Sequence, residues 1–295
     1  MKQKVVAIVG QTATGKSALG ITLARHFRGS IISADSRQVY RGLDIGSGKV
    51  SKREQRIVPH LLLDVANPRR MYTVAQFVRD AKMAMRTIHQ QGRVPIVVGG
   101  TGFWLDALLK GTNIPAVPPN PRLRKKLEKQ KIAVLYAQLQ RLDPQRAQSI
   151  DPHNPMRIIR ALEIIMTTGK PVPLLTVKAR YDVLWLGLRQ SVEKLRGLIS
   201  ARLKRRVRAG LVAEVRHLLQ QGVPAQRLLD LGLEYRFVTR YLQHDLTREE
   251  MLQQLETAIR HYAKRQRTWF VRNPKIHWVK STRQAAQLTR AFLKS

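Results

Sequence analysis

Short apolar runs alternate with helical patterns through the first third of the chain. Val5-Val6-Ala7-Ile8-Val9 is uninterrupted and apolar, which predicts a buried strand. Ser30-Ile31-Ile32-Ser33-Ala34 predicts a second strand, and Arg93-Val94-Pro95-Ile96-Val97-Val98-Gly99-Gly100 a third. Between them the period changes. Ala18-Leu19-Gly20-Ile21-Thr22-Leu23-Ala24 reads as a helix. Val74, Phe77, Ala81, Ala84 and Ile88 recur at helical spacing behind Thr73, a capping residue. Thr101-Gly102 opens a further helix through Leu109. Strand–helix alternation predicts an α/β fold, a parallel sheet with helices on both faces.

The pattern changes at Pro115-Ala116-Val117-Pro118-Pro119-Asn120-Pro121. Beyond it helical periodicity runs to Thr168-Gly169, and Asp182-Val183-Leu184-Trp185-Leu186-Gly187-Leu188 reads as a strand rejoining the sheet. The expected organisation is a core of residues 1–112 and 182–295 with a helical insertion domain at 113–181. From Leu195 to Ala209, Leu195, Leu198, Ile199, Leu203 and Val207 form one apolar stripe. Arg202 and Arg206 project from that stripe, whereas Lys204, Arg205 and Arg208 point away. An arginine on a buried face needs an anion, and a phosphate, an internal ion pair or snorkelling would each serve.

The first strand runs directly into Gly10-Gln11-Thr12-Ala13-Thr14-Gly15-Lys16-Ser17, the pattern G-x-x-x-x-G-K-[ST] with the next helix behind it. In such a P-loop the backbone N–H groups and the helix N-terminus face phosphates, Lys16 adds a charge, and Ser17 can ligate Mg²⁺. The expected fold is therefore P-loop NTPase-like. Ligands on such a sheet sit at the carboxyl ends of the strands. The Gly10 loop, Asp35 and Thr101 all fall there.

Of the 295 residues, 54 are Lys or Arg and 19 are Asp or Glu, a net charge of +35. A small-molecule kinase has no use for such a field, whereas nucleic-acid phosphates do; a generally basic host or a solubility adaptation are the bland readings. With no cysteine, thiolate catalysis, disulfides and Cys-based zinc sites are excluded. No signal peptide is visible and no apolar run approaches the about 20 residues that span a bilayer, so no membrane partner and a cytoplasmic location are expected.

Hydrolysis is poorly supported. There is no Asn-Lys-x-Asp guanine reader, no Asp-Glu pair closes an apolar strand, and Leu61-Leu62-Leu63-Asp64 is the nearest candidate for a second magnesium site. Asp35, directly after a buried strand, could hold magnesium, act as a general base or cap a helix. Ile259 to Phe270 mixes cations with aromatics, which suits RNA backbone and base stacking, or ordinary amphipathy with Ile259, Tyr262 and Trp269 as core. His60, His153 and His261 show no paired metal spacing.

These segments together resemble the bacterial tRNA dimethylallyltransferase (isopentenyltransferase) family. The resemblance is carried by the P-loop, Asp35-Ser36-Arg37-Gln38-Val39-Tyr40-Arg41-Gly42-Leu43-Asp44-Ile45-Gly46, Pro59-His60, Val98-Gly99-Gly100-Thr101-Gly102, Arg157-Ile158-Ile159-Arg160-Ala161-Leu162-Glu163, Thr168-Gly169 and Ala263-Lys264-Arg265-Gln266-Arg267-Thr268-Trp269. It implies transfer of a dimethylallyl group from dimethylallyl diphosphate to N6 of the adenosine 3′-adjacent to the anticodon. Asp35, Thr101 and Lys16 would be catalytic, with Asp35 as base. Gly10, Thr12, Ala13, Thr14, Gly15, Lys16, Ser17 and Arg202 would hold diphosphate, with Mg²⁺ on Ser17. Ser36, Gln38, Arg157, Arg160, Lys264, Arg265 and Gln266 would contact tRNA through its anticodon stem-loop. A monomer is expected. The family's usual Thr after Asp-Ile-Gly is Ser47 here, Trp104 stands where Tyr is common, and Gly232-Leu233-Glu234-Tyr235-Arg236 replaces a more usual Gly-Tyr-Lys-Glu. The rivals are an adenylate isopentenyltransferase acting on AMP or ATP, a P-loop small-molecule kinase, and a nonenzymatic RNA-binding protein on the same fold.

Overall fold

The computed structural model describes residues 2–174 and 176–295. Six strands form one parallel sheet: β1 (Gln3–Gly10), β2 (Gly29–Ser33), β3 (His60–Leu61), β4 (Val94–Val98), β5 (Tyr181–Leu188) and β6 (Ile276–Trp278), in the order β3-β2-β4-β1-β5-β6. The central β1 is buried from Val5 to Gly10, as a strand covered on both faces must be. Its alternate residues serve two cores. Val5, Ala7 and Val9 pack in a cluster with Phe77, Met85, Ile199 and Leu255. Val6 and Ile8 pack in another with Leu19, Leu23 and Ala285. Helices therefore lie on both faces, as the alternation predicts.

The covering helices used below are α1 (Lys16–His26), α2 (Val74–Gln90), α3 (Val192–Arg208), α4 (Leu211–Gln220), α5 (Leu233–Leu242), α6 (Arg248–Val271) and α7 (Thr282–Lys294). Thr73 caps α2 through a reciprocal pair of bonds with Gln76. Two short strands, β3 and β6, were not expected from the pattern. The helix expected through Leu109 is helical over Gly102–Leu105 and then widens into a π turn over Asp106–Lys110. Among the described residues no helix is long and apolar enough to cross a membrane.

The chain divides into two compact units, Met1–Gly111 with Ala179–Ser295, and Thr112–Lys178. The second unit has its own core, with Leu127, Leu135, Leu139, Ile158 and Leu162 buried together. Three of its helices begin alike: Asn120, Asp143 and Asn154 each accept a bond from the third helical N–H, and proline follows each. That placement satisfies an orphan donor and uses proline where its missing N–H costs nothing. Where this unit begins and ends, Thr112 bridges Val177, and the Asn113 N–H donates to the Thr176 carbonyl at 2.9 Å.

Candidate active site

The site forms where β1, β2 and β4 end. Beyond Gly10 the backbone turns through Ala13 and Gly15, both at positive φ, and α1 begins at Lys16. The Thr14 hydroxyl donates to the Gln11 carbonyl at 2.8 Å and the Lys16 ammonium to the same oxygen at 2.6 Å. From α3 the Arg202 guanidinium donates to the Thr12 hydroxyl at 3.0 Å. Two half-buried cations thus converge on the loop, and neither has a carboxylate ion-pair partner among the described residues. Burial and the nearby Arg202 pull the Lys16 ammonium down to about 7, against a smaller opposing pull from Asp35. Burial and Arg206 bring Arg202 down to about 10. An anion here would relieve both.

Arg206, one turn further on, is otherwise placed. It is ion-paired with Glu234 of α5, so the two arginines of one stripe have different fates. Gly48, at φ +63°, faces both. A Cβ there would lie 2.0 Å from one guanidinium nitrogen of Arg206 and 2.2 Å from one of Arg202, so any side chain at position 48 would have to displace both guanidinium ends, at a backbone angle that favours glycine. Leu198, assigned to the apolar stripe, is instead partly exposed and lines the cleft. Lys204, Arg205 and Arg208 are exposed.

Asp35 follows β2. Its Oδ1 accepts the N–H groups of Arg37 at 2.8 Å and Gln38 at 3.4 Å, a local cap, while Oδ2 has no hydrogen-bond partner among the described residues. Capping and an available oxygen therefore coexist. The Ser36 N–H donates to the Thr101 hydroxyl at 3.2 Å, which brings the ends of β2 and β4 together. Tyr262 of α6 faces the same cleft, and burial with the nearby Asp35 pushes its hydroxyl up to about 12, against a smaller opposing pull from Thr101. Gln38 accepts from Ser33 at 2.9 Å and donates to the Gly48 carbonyl at 3.3 Å.

The Asp44-Ile45-Gly46 segment is shaped from a distance. The Glu214 carboxylate of α4 accepts all three backbone N–H groups, at 2.9, 2.6 and 3.0 Å, and the Tyr235 hydroxyl at 3.0 Å. That hydroxyl in turn accepts the Ser47 N–H at 3.0 Å. Asp64 is held by Lys49 and Lys52 rather than left open for a metal, and no cluster of metal-binding side chains occurs among the described residues.

The P-loop, Asp35, Ser36, Gln38, Arg202, Arg265 and Gln266 line one cleft of about 1000 Å³. Thr101 joins it through Ser36. Lys264 and Arg265 are exposed on α6. Gln266, expected on RNA, is instead buried against the loop. Arg157 and Arg160 belong to the other unit, where Arg157 is exposed and Arg160 is engaged with Glu163 and the Val117 carbonyl. Sequence reasoning missed Tyr262, Glu214 and Glu234 as site residues. A helical hydroxyl one turn before a predicted contact, and two acids in an otherwise basic stretch, were the signals available.

A carboxylate and hydroxyls thus lie beside a cationic phosphate loop at the carboxyl edge of a parallel sheet, the layout of a phosphate-loop α/β fold. The family model described as IPP transferase matches residues 38–273, and the chain belongs to that family. It is 44% identical over 283 residues to the tRNA dimethylallyltransferase of Thermomicrobium roseum, covering 94% of this chain and 86% of that one. It is also 44% identical over 287 residues to tRNA dimethylallyltransferase 1 of Trichlorobacter lovleyi, covering 95% and 94%. Among solved structures, the tRNA isopentenylpyrophosphate transferase of Bacillus halodurans superposes with a TM-score of 0.75 at 34% identity, covering 99% and 97%. A eukaryotic dimethylallyltransferase acting on tRNA gives a TM-score of 0.85 at 26% identity, covering 99% and 80%.

Proposed function

We propose that this enzyme is a tRNA dimethylallyltransferase, moving a dimethylallyl group from dimethylallyl diphosphate to N6 of the adenosine 3′-adjacent to the anticodon. The observation that carries the reading is the uncompensated pair Lys16 and Arg202, set in the same cleft as the free oxygen of Asp35.

The bond from N6 to the allyl carbon forms as the carbon–oxygen bond to diphosphate breaks. Lys16, Arg202 and the P-loop N–H groups stabilise the charge gathering on the departing oxygens. Asp35 accepts the N6 proton at Oδ2. Thr101, bonded to the Ser36 N–H, would stand near the reacting centre. An exocyclic amine is a poor nucleophile, so orientation supplies much of the rate. The Ser17 hydroxyl, at the head of α1, has no hydrogen-bond partner among the described residues and would be the side chain to hold a Mg²⁺. Bound there, the ion would offset leaving-group charge. Reaching the adenine requires it to leave its stack. Ser36, Gln38, Lys264 and Arg265 would border the RNA, as would Arg157 and Arg160 of the insertion, where the anticodon stem is gripped. The enzyme would act as a cytoplasmic monomer.

Mass spectrometry of an adenosine-rich anticodon stem-loop and of AMP, each with enzyme, Mg²⁺ and dimethylallyl diphosphate, tests this. One dimethylallyl group on the RNA alone is expected. Gain on AMP alone would overturn tRNA as acceptor, and gain on neither would remove the transferase reading.

A further inference from the structure

We infer that α6 is a positioning clamp in which Gln266 fixes the phosphate loop against the strand end that carries Thr101. The inference rests on the proposed transfer, because it concerns the spacing between leaving group and acceptor.

The β1–β4 ladder pairs Val6 with Ile96 through Ile8 with Val98, and its last bond runs from the Gly99 N–H to the Ile8 carbonyl at 3.1 Å. Beyond that point the two backbones continue as separate loops, one to Lys16 and one to Thr101. Gln266 supplies the missing rung. Its Oε1 accepts the Thr12 N–H at 2.7 Å and its Nε2 donates to the Gly100 carbonyl at 2.9 Å, with the residue only 5% exposed. The approach is close enough that a Cβ on Gly100 would sit 2.2 Å from Nε2.

Neighbouring turns of α6 reinforce this. The Gln11 side-chain amide donates to the Ala263 carbonyl at 3.3 Å. The Trp269 indole donates to Asp106 at 3.1 Å, its ring filling the space beside Gly102. Leaving-group loop and acceptor loop are thus both registered to one helix. A carboxamide is suited to the bridge because it offers an acceptor and a donor on one plane. Glutamate would set an oxygen against the Gly100 carbonyl, and methionine would keep the volume and make neither bond. Lys264 and Arg265 lie on the exposed side of the same turns, so the helix separates an inward positioning face from an outward cationic one.

The test uses the full chain with Gln266→Met, Gln266→Glu and Tyr262→Phe. The readouts are single-turnover transfer to the anticodon stem-loop, affinity for that RNA, and affinity for inorganic diphosphate with Mg²⁺. Gln266→Met should slow transfer by about 10–100-fold, the effect of displacing reacting groups by about an ångström, with RNA affinity held. Gln266→Glu should be worse, and both should weaken diphosphate binding. Tyr262→Phe, on the preceding turn of the same helix, leaves both Gln266 bonds in place and should leave diphosphate affinity unchanged. A native transfer rate in Gln266→Met would overturn the clamp. So would a loss of RNA affinity matching the loss of rate, which would return Gln266 to the RNA surface. If the unsubstituted enzyme transfers nothing to RNA, the proposed function fails by itself. The diphosphate arm then still decides the clamp, and unchanged affinity in Gln266→Met refutes it.

Discussion

The insertion unit and the cleft of the core use the same cations in opposite ways. In the insertion, Arg124 and Arg160 both bind Glu163, which is completely buried and also accepts the Asn120 N–H at 2.6 Å. Burial opposes that charge, but Arg124, the Asn120 N–H and Arg160 outweigh it and hold the carboxyl at about 2. In the cleft, Lys16 and Arg202 have no ion-paired carboxylate among the described residues, and burial first and neighbouring arginines second pull both down, against a smaller opposing pull from Asp35. Neutralised cations hold a fold together, whereas uncompensated ones hold a place for a ligand. Arg206 shows the boundary: one turn from Arg202, it is neutralised by Glu234 and belongs with the first kind.

The contrast can be broken at either end. Asp35→Ala should cost about 10²–10⁴-fold in single-turnover transfer, the range of a general base, with anticodon stem-loop affinity preserved. Preserved turnover would remove its role. Glu163→Ala strands two arginines and should destabilise the insertion by about 3–5 kcal/mol, read as accelerated hydrogen exchange confined to residues 112–178 with diphosphate affinity unchanged. Because the Glu163 carboxyl lies below its unfolded value, its contribution is present above the ordinary carboxylate range and is lost as pH falls towards about 2. Arg202→Ala should weaken diphosphate binding by about 10–100-fold, the worth of a charged hydrogen bond, in calorimetric titration. Arg206→Ala should chiefly lower the thermal midpoint instead, and matching effects of the two would erase the distinction drawn here.

The smallest effect is in pH. Lys16 is near 7 in the free enzyme and must be charged to bind diphosphate, so binding takes up a proton above that value. Affinity should therefore fall by up to about tenfold per pH unit above 7. Lys16→Arg should flatten that slope, leaving only the ligand's own titration.

Much of this was legible along the chain because its signals are local. The apolar run before Gly10, the Thr73 cap and the proline break at 115–121 each depend on neighbouring residues. The stripe of α3 likewise separated Arg202 and Arg206 from their outward neighbours. It could not separate the two from each other, because Glu234 arrives from another helix. The inward turn of Gln266 and the Glu214 clamp on residues 44–46 are partnerships across long stretches of chain, invisible to any spacing rule. The strands β3 and β6 have only two and three residues, too few for a period to register.

The order of the sheet also governs the protein's birth. β1 leaves the ribosome well before its neighbour β5, which lies beyond the whole insertion, and their rungs run from Gln3 with Tyr181 to Gly10 with Leu188. At synthesis rates of about 5–20 residues per second, one edge of the central strand stays bare for about 10 s or longer. A bare apolar edge is what stray chains pair with. The insertion, with its own core and its ends bridged, can close during that interval, so that the nascent enzyme waits with a finished module rather than a loose tether.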